Sequence, residues 1–93
     1  MRIEGIRISR QAAVKMAGRG IEEWEPYEVL FNGFVVVRNK RNRAGTHRMI
    51  GRADSGRLLT LPIRKTEDDD IWLVVNGWIA TKGERTLYEG GIR

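Results

Sequence analysis

The sequence predicts an α+β domain, with N-terminal helices packed on a small, mostly antiparallel sheet and a further helix near the C-terminal end. Three observations carry that expectation. Apolar residues at helical spacing fall within residues 10–31. Four β-rich runs then follow, separated by polar turns, which reads as an antiparallel meander. Last, Thr81-Lys82-Gly83-Glu84 has the pattern of a helix capping box. The chain has 93 residues. A domain runs to roughly 100–150 residues, so a single domain spanning 1–93 is expected.

Residues 2–8 alternate, with Ile6 and Ile8 on one side, and read as a short strand. Ser9 suits a helix N-cap because its hydroxyl can accept from an orphan amide of the first turn. A first helix follows over 10–17, with Ala13, Val14 and Ala17 at helical spacing, and Gly18 and Gly20 stop it. A second helix is expected over 22–31. Its acids Glu22, Glu23, Glu25 and Glu28 sit in the first turns, where the helix dipole favours negative charge. Pro26 is tolerable there only near the start, because it removes an amide donor. Ile21, Trp24, Tyr27, Leu30 and Phe31 form an apolar stripe, so Trp24 and Tyr27 are expected in the core.

After Asn32-Gly33 the period changes. Strands are expected over 34–37, 47–52, 57–64 and 71–75, with a basic loop over 39–46 and turns over 54–56 and 66–70. Pro62 lies inside the third of these runs, which argues for an edge position or a bulge. The capping box opens a terminal helix from 82 to about 88, stopped by Gly90-Gly91. The expected order is β-α-α-β-β-β-β-α.

Composition narrows the chemistry. Cysteine is absent, which excludes a disulfide scaffold, a thiol nucleophile and a Cys-ligated zinc site. A single histidine, His47, excludes a multi-histidine metal centre, and Asp68-Asp69-Asp70 reads as a solvated turn, so neither a metal nor a cofactor is expected. No apolar run approaches the roughly 20 residues of a membrane span, and residues 1–5 lack a signal-peptide stretch. A soluble, cytoplasmic protein without a membrane partner is expected.

The formal net charge is +5, and its distribution says more than its size. The charges of 22–28 are all negative. Those of 38–57 are Arg38, Lys40, Arg41, Arg43, Arg48, Arg52 and Arg57 against Asp54 alone. Arginine's planar fork suits bidentate contact with phosphate. Seven basic residues in so short a segment favour an RNA or DNA surface over a merely solvated face. RNA cleavage needs little more: a base for the ribose 2′-OH, cations for the charge developing on phosphorus, and an acid for the leaving oxygen. His47, Glu84 and Tyr88 are the proton carriers within reach of such a scheme. For Glu84 the capping duty is the better reading.

Three blocks resemble the BrnT-type toxins of type II toxin–antitoxin systems. They are Gly20-Ile21-Glu22-Glu23-Trp24-Glu25-Pro26-Tyr27-Glu28-Val29-Leu30; Ile50-Gly51-Arg52 with Gly56-Arg57-Leu58-Leu59-Thr60; and Ala80-Thr81-Lys82-Gly83-Glu84-Arg85-Thr86-Leu87-Tyr88-Glu89. The resemblance covers most of the chain from Gly20 onward and rests on the order and spacing of the blocks. It implies a RelE-like fold and a metal-independent endoribonuclease that inhibits translation. It also implies a cognate antitoxin, with operator DNA touched through that antitoxin. Arg52 and Arg85 then fall to phosphate and transition-state charge, with His47 as a further catalytic candidate. Arg57 falls to positioning RNA. Apart from the resemblance, Arg38, Lys40, Arg41 and Arg43 of the basic segment, and the indole of Trp78, are RNA-binding candidates. The chain departs from the family pattern where Arg19 replaces the histidine before Gly-Val, and where Asn76 and Trp78 replace a Ser-x-Arg pair. For Trp78 two readings stay open: packing beneath the terminal helix, or stacking on a base. A non-catalytic nucleic-acid-binding module using the same basic hairpin is the alternative function.

Overall fold

A computed structural model gives the fold and describes residues 1–91. The order is β1 (Gly5–Ile8), α1 (Arg10–Ala17), α2 (Glu25–Asn32), β2 (Phe34–Arg38), β3 (His47–Arg52), β4 (Leu58–Lys65), β5 (Ile71–Val74), β6 (Trp78–Ile79) and α3 (Lys82–Gly91). The class is α+β, three helices on one mixed sheet of spatial order β1-β5-β4-β3-β2, with β6 also paired to β4. The meander β2–β5 is antiparallel, and β1 joins β5 in parallel at the edge. The capping motifs form as the residues dictate. The Ser9 hydroxyl accepts from the Ala12 amide at 3.0 Å. At the start of α3 the Thr81 hydroxyl accepts from the Glu84 amide at 3.2 Å, and the Thr81 amide donates back to Glu84 Oε1 at 2.9 Å.

Residues opposite one another in a ladder share a face, and neighbours along a strand alternate faces. The register therefore sorts the sheet into two surfaces. One carries Phe34, Val36, Met49, Leu59, Leu61, Ile63 and Val74. It packs under α1 and α2 through Ala12, Met16, Ile21 and Val29, all at most 2% exposed. The other carries Val35, Val37, Arg48, Ile50, Arg52, Thr60, Pro62 and Trp78. On this second surface α3 covers only part of β2 and β3.

Four expectations need correction. Trp24 and Tyr27 are not core: they are 56% and 41% exposed, and Phe31 is 84% exposed. α2 starts at Glu25, with Pro26 in its first turn, and turns Pro26, Val29 and the Glu25 side chain inward instead. Glu25 is buried because Arg57 reaches it from the sheet and the Glu22 amide donates to its Oε2 at 2.8 Å. Pro62 lies in a central strand, without an edge position or a bulge. Its carbonyl accepts from the Val75 amide, so its missing N–H faces the gap where β4 changes partner from β5 to β6. Strand β6, two residues long, is additional to the expected order. Finally, α3 runs through Gly90 and Gly91. A Cβ at Gly91 would collide with Val35, so the helix end seats directly on β2.

Candidate nucleic-acid interface

The loop between β2 and β3 is basic and tightly built. The Asn39 side-chain amide donates to the Ala44 and Gly45 carbonyls at 3.0 and 3.3 Å, and Asn42 and Gly45 take left-handed backbone angles of φ 61° and 82°. The loop overhangs the second sheet surface and closes one side of a recess of about 460 Å³. The cations on its wall are Lys40, Arg43 and Arg48, no acidic side chain lines it, and Asn76 and Trp78 face it from the opposite side.

Beneath this wall sits Glu84, only 5% exposed. Its Oε2 accepts from Arg48 Nη1 at 3.0 Å, and its Oε1 accepts from Trp78 Nε1 and from the Thr81 amide, both at 2.9 Å. Burial pushes the Glu84 carboxyl up. The Thr81 amide, the Trp78 indole, the Thr60 hydroxyl and the Arg48 guanidinium together outweigh it, so the group ends below its ordinary value. The Thr60 hydroxyl acts through proximity, since it makes no hydrogen bond of normal geometry. The carboxylate is thus held toward its ionised form and anchors three donors, one on Oε2 and two on Oε1.

The expected site residues divide between the two surfaces. Lys40, Arg43 and Trp78 meet at the recess. Arg52 lies on the same surface, four residues along β3 from Arg48, a run of about 13 Å in a strand. It stacks over the Tyr88 ring at 5.5 Å and donates from Nη1 to the Gly56 carbonyl at 2.8 Å. Arg85 is exposed on α3, turned roughly 100° around the helix from Glu84. Arg41 is exposed in the loop and does not line the recess.

His47, Arg38 and Arg57 belong to the opposite surface. His47 is paired with Arg38 and Ile63, meets Trp72 edge-on at 5.6 Å, and shares a hydrogen bond with the Thr46 hydroxyl at 2.8 Å. Burial, followed by the Arg38 charge, holds its pKa below the ordinary 6.5. Arg57 points toward α2, where Nη2 bonds the Gly20 carbonyl at 2.9 Å and pairs with Glu25. The structure therefore does not bring His47 or Arg57 to Arg52 and Trp78. Residues Arg48 and Asn76 were not singled out from sequence as site residues. The signal for Arg48 was its even spacing from Arg52 along one strand, which places both side chains on one face.

Arg19 and Asn76, far apart in sequence, touch. Arg19 Nη1 donates to Asn76 Oδ1 at 2.8 Å and to the Gly77 carbonyl at 2.7 Å, so Arg19 fixes the segment that delivers Trp78. At the far end of the sheet, Asp68 pairs with Arg7. Among the described residues, no three His, Cys, Asp or Glu side chains gather as a metal site would require, and no helix is long and apolar enough to cross a membrane. No protein-family model and no curated protein matches the chain.

Proposed function

We propose that this chain is the toxin of a type II toxin–antitoxin system, of the BrnT type: a metal-independent endoribonuclease that acts in the cytoplasm, inhibits translation and is silenced by a cognate antitoxin. The observation that carries the reading is the division of the sheet. One surface is spent on the core, and the other presents Arg48 and Trp78 beside an overhanging basic loop, with Arg52 farther along the same face of β3. A surface of fixed arginines beside an indole suits a phosphate backbone with unstacked bases. In this reading Arg52 and Arg85 stabilise the charge that develops as the 2′-oxygen attacks phosphorus. Tyr88, under the Arg52 guanidinium, is a hydroxyl-bearing side chain beside that arginine on this surface. The resemblance in the three sequence blocks supports the same assignment, with operator DNA reached through the antitoxin.

One observation favours a second reading. The candidate proton carrier His47 faces the core surface, and Glu84 is engaged by Arg48, Trp78 and the Thr81 amide. The same arginines would then serve a non-catalytic RNA-binding module. Induced expression in a bacterial host separates the two. The toxin reading expects growth arrest that is relieved by co-expression of the adjacent gene; normal growth with intact cellular RNA would reject it in favour of the binding module.

A further inference from the structure

We propose that the recess beneath the β2–β3 loop is a subsite for one unpaired nucleotide, its phosphate held by Arg48 with Lys40 and Arg43 and its base laid against Trp78. The inference rests on the RNA reading above and narrows it to a place and a strand type.

The chemistry of the wall is what such a guest needs. Three cations converge without an acid among the lining side chains. Arg48 gives only Nη1 to the protein among the described residues, and its side chain, 18% exposed, lines the recess, whereas its buried Nε is out of reach of a guest. Its guanidinium is thus held from one side and keeps donor capacity for an anion. Trp78 is half-buried, and the bond from Nε1 to Glu84 fixes the plane of its ring, so a base meets a preset surface. Asn76 has its Oδ1 occupied by Arg19 and by the Gly77 amide, leaving Nδ2 unengaged among the described residues as a donor to a base edge.

Glu84 is the positioning residue of this subsite. One carboxylate holds the arginine on Oε2 and the indole on Oε1, and the same carboxylate caps α3. Glu84 itself does not line the recess. An unpaired strand is required because a base inside a duplex offers its faces to its neighbours and not to an indole.

The test uses a fluorescein-labelled 2′-O-methyl RNA hexamer, which binds but cannot be cut through the 2′-oxygen, and a 2′-O-methyl duplex of the same length. Wild-type protein is expected to prefer the hexamer. Trp78→Leu, which fills the space without a π face, should weaken hexamer binding roughly tenfold or more, whereas Trp78→Phe, which keeps a π face but loses the bond to Glu84, should weaken it less than Trp78→Leu. Arg48→Lys should weaken it as well, because it keeps the charge and loses the fork. Glu84→Gln should weaken the hexamer and leave duplex binding unchanged, a split that mere destabilisation does not produce. Circular dichroism confirms that each variant is folded. If Trp78→Leu and Arg48→Lys bind the hexamer as tightly as wild type, the subsite is overturned while the RNA reading stands. Equal wild-type affinity for duplex and hexamer overturns the unpaired-strand claim. No RNA binding by wild type at moderate salt overturns the RNA reading and the subsite together.

Discussion

Glu84 is a carboxylate whose surroundings, more than its chemistry, decide its role. Four donors or near-donors from a helix start, a β-strand, a short strand and the sheet centre converge on it. They hold it ionised despite burial, so its pKa falls below the ordinary 4.5. Its contribution to stability is therefore complete above that value and is lost as the pH drops through the lowered folded value. Glu84→Gln should cost roughly 1–3 kcal/mol at neutral pH, because charged hydrogen bonds become neutral ones and Arg48 loses its counter-charge. Urea midpoints measured across acid pH should show the gap between wild type and Glu84→Gln closing below pH 4.5. A constant gap would show that the charge of Glu84 does not matter to the fold.

At the scale of elements, strands were easier to read than helix faces. The runs at 34–38, 47–52, 58–65 and 71–74 are bounded by turn residues, and each forms a strand. The orientation of α2 was not legible. Of its apolar stripe Ile21 is buried and Leu30 packs against the core, whereas Trp24, Tyr27 and Phe31 stay exposed and Glu25 is buried instead, paired with Arg57, 32 residues away in sequence. No local pattern can announce such a partner. β6 escaped notice because two residues have no periodicity to detect. The face of α2 that does pack is marked by Gly51, where a Cβ would stand 2.7 Å from the Gly33 carbonyl and 2.8 Å from Val29 Cγ1. Stability should follow this geometry. Leu61→Ala, at a residue with no exposure, is expected to cost about 2–5 kcal/mol. Phe31→Ser, at a residue 84% exposed, should stay within about 0.5 kcal/mol. Thermal melts of the two variants distinguish this arrangement from one in which the aromatic stripe is core.

At the scale of the whole molecule, the net charge of +5 is a difference between regions. The acidic residues of α2 lie on the helical side of the sheet, and Arg48 and Arg52 lie on the other. Strand parity explains why the candidate site was only half legible. His47 and Arg52 are five positions apart on one strand, an odd spacing that sends them to opposite faces, whereas Arg48 and Arg52 share a face. Trp78 was legible as a candidate from its type alone, but its partner Glu84 required the fold to bring β6 against the start of α3.

The central claim is that the arginine-bearing surface acts on RNA. The most direct measurement is cleavage of a single-stranded RNA by the purified protein in the presence of a chelator, with Arg52→Ala and Arg85→Ala alongside, and with binding measured at several salt concentrations. The account predicts cleavage by wild type and a loss of at least about a hundredfold in the variants, the scale of removing one charge-stabilising group. Binding should survive those substitutions in weakened form and fall steeply with salt. An intact substrate, together with the absence of salt-dependent RNA binding by the folded wild-type protein, would contradict it.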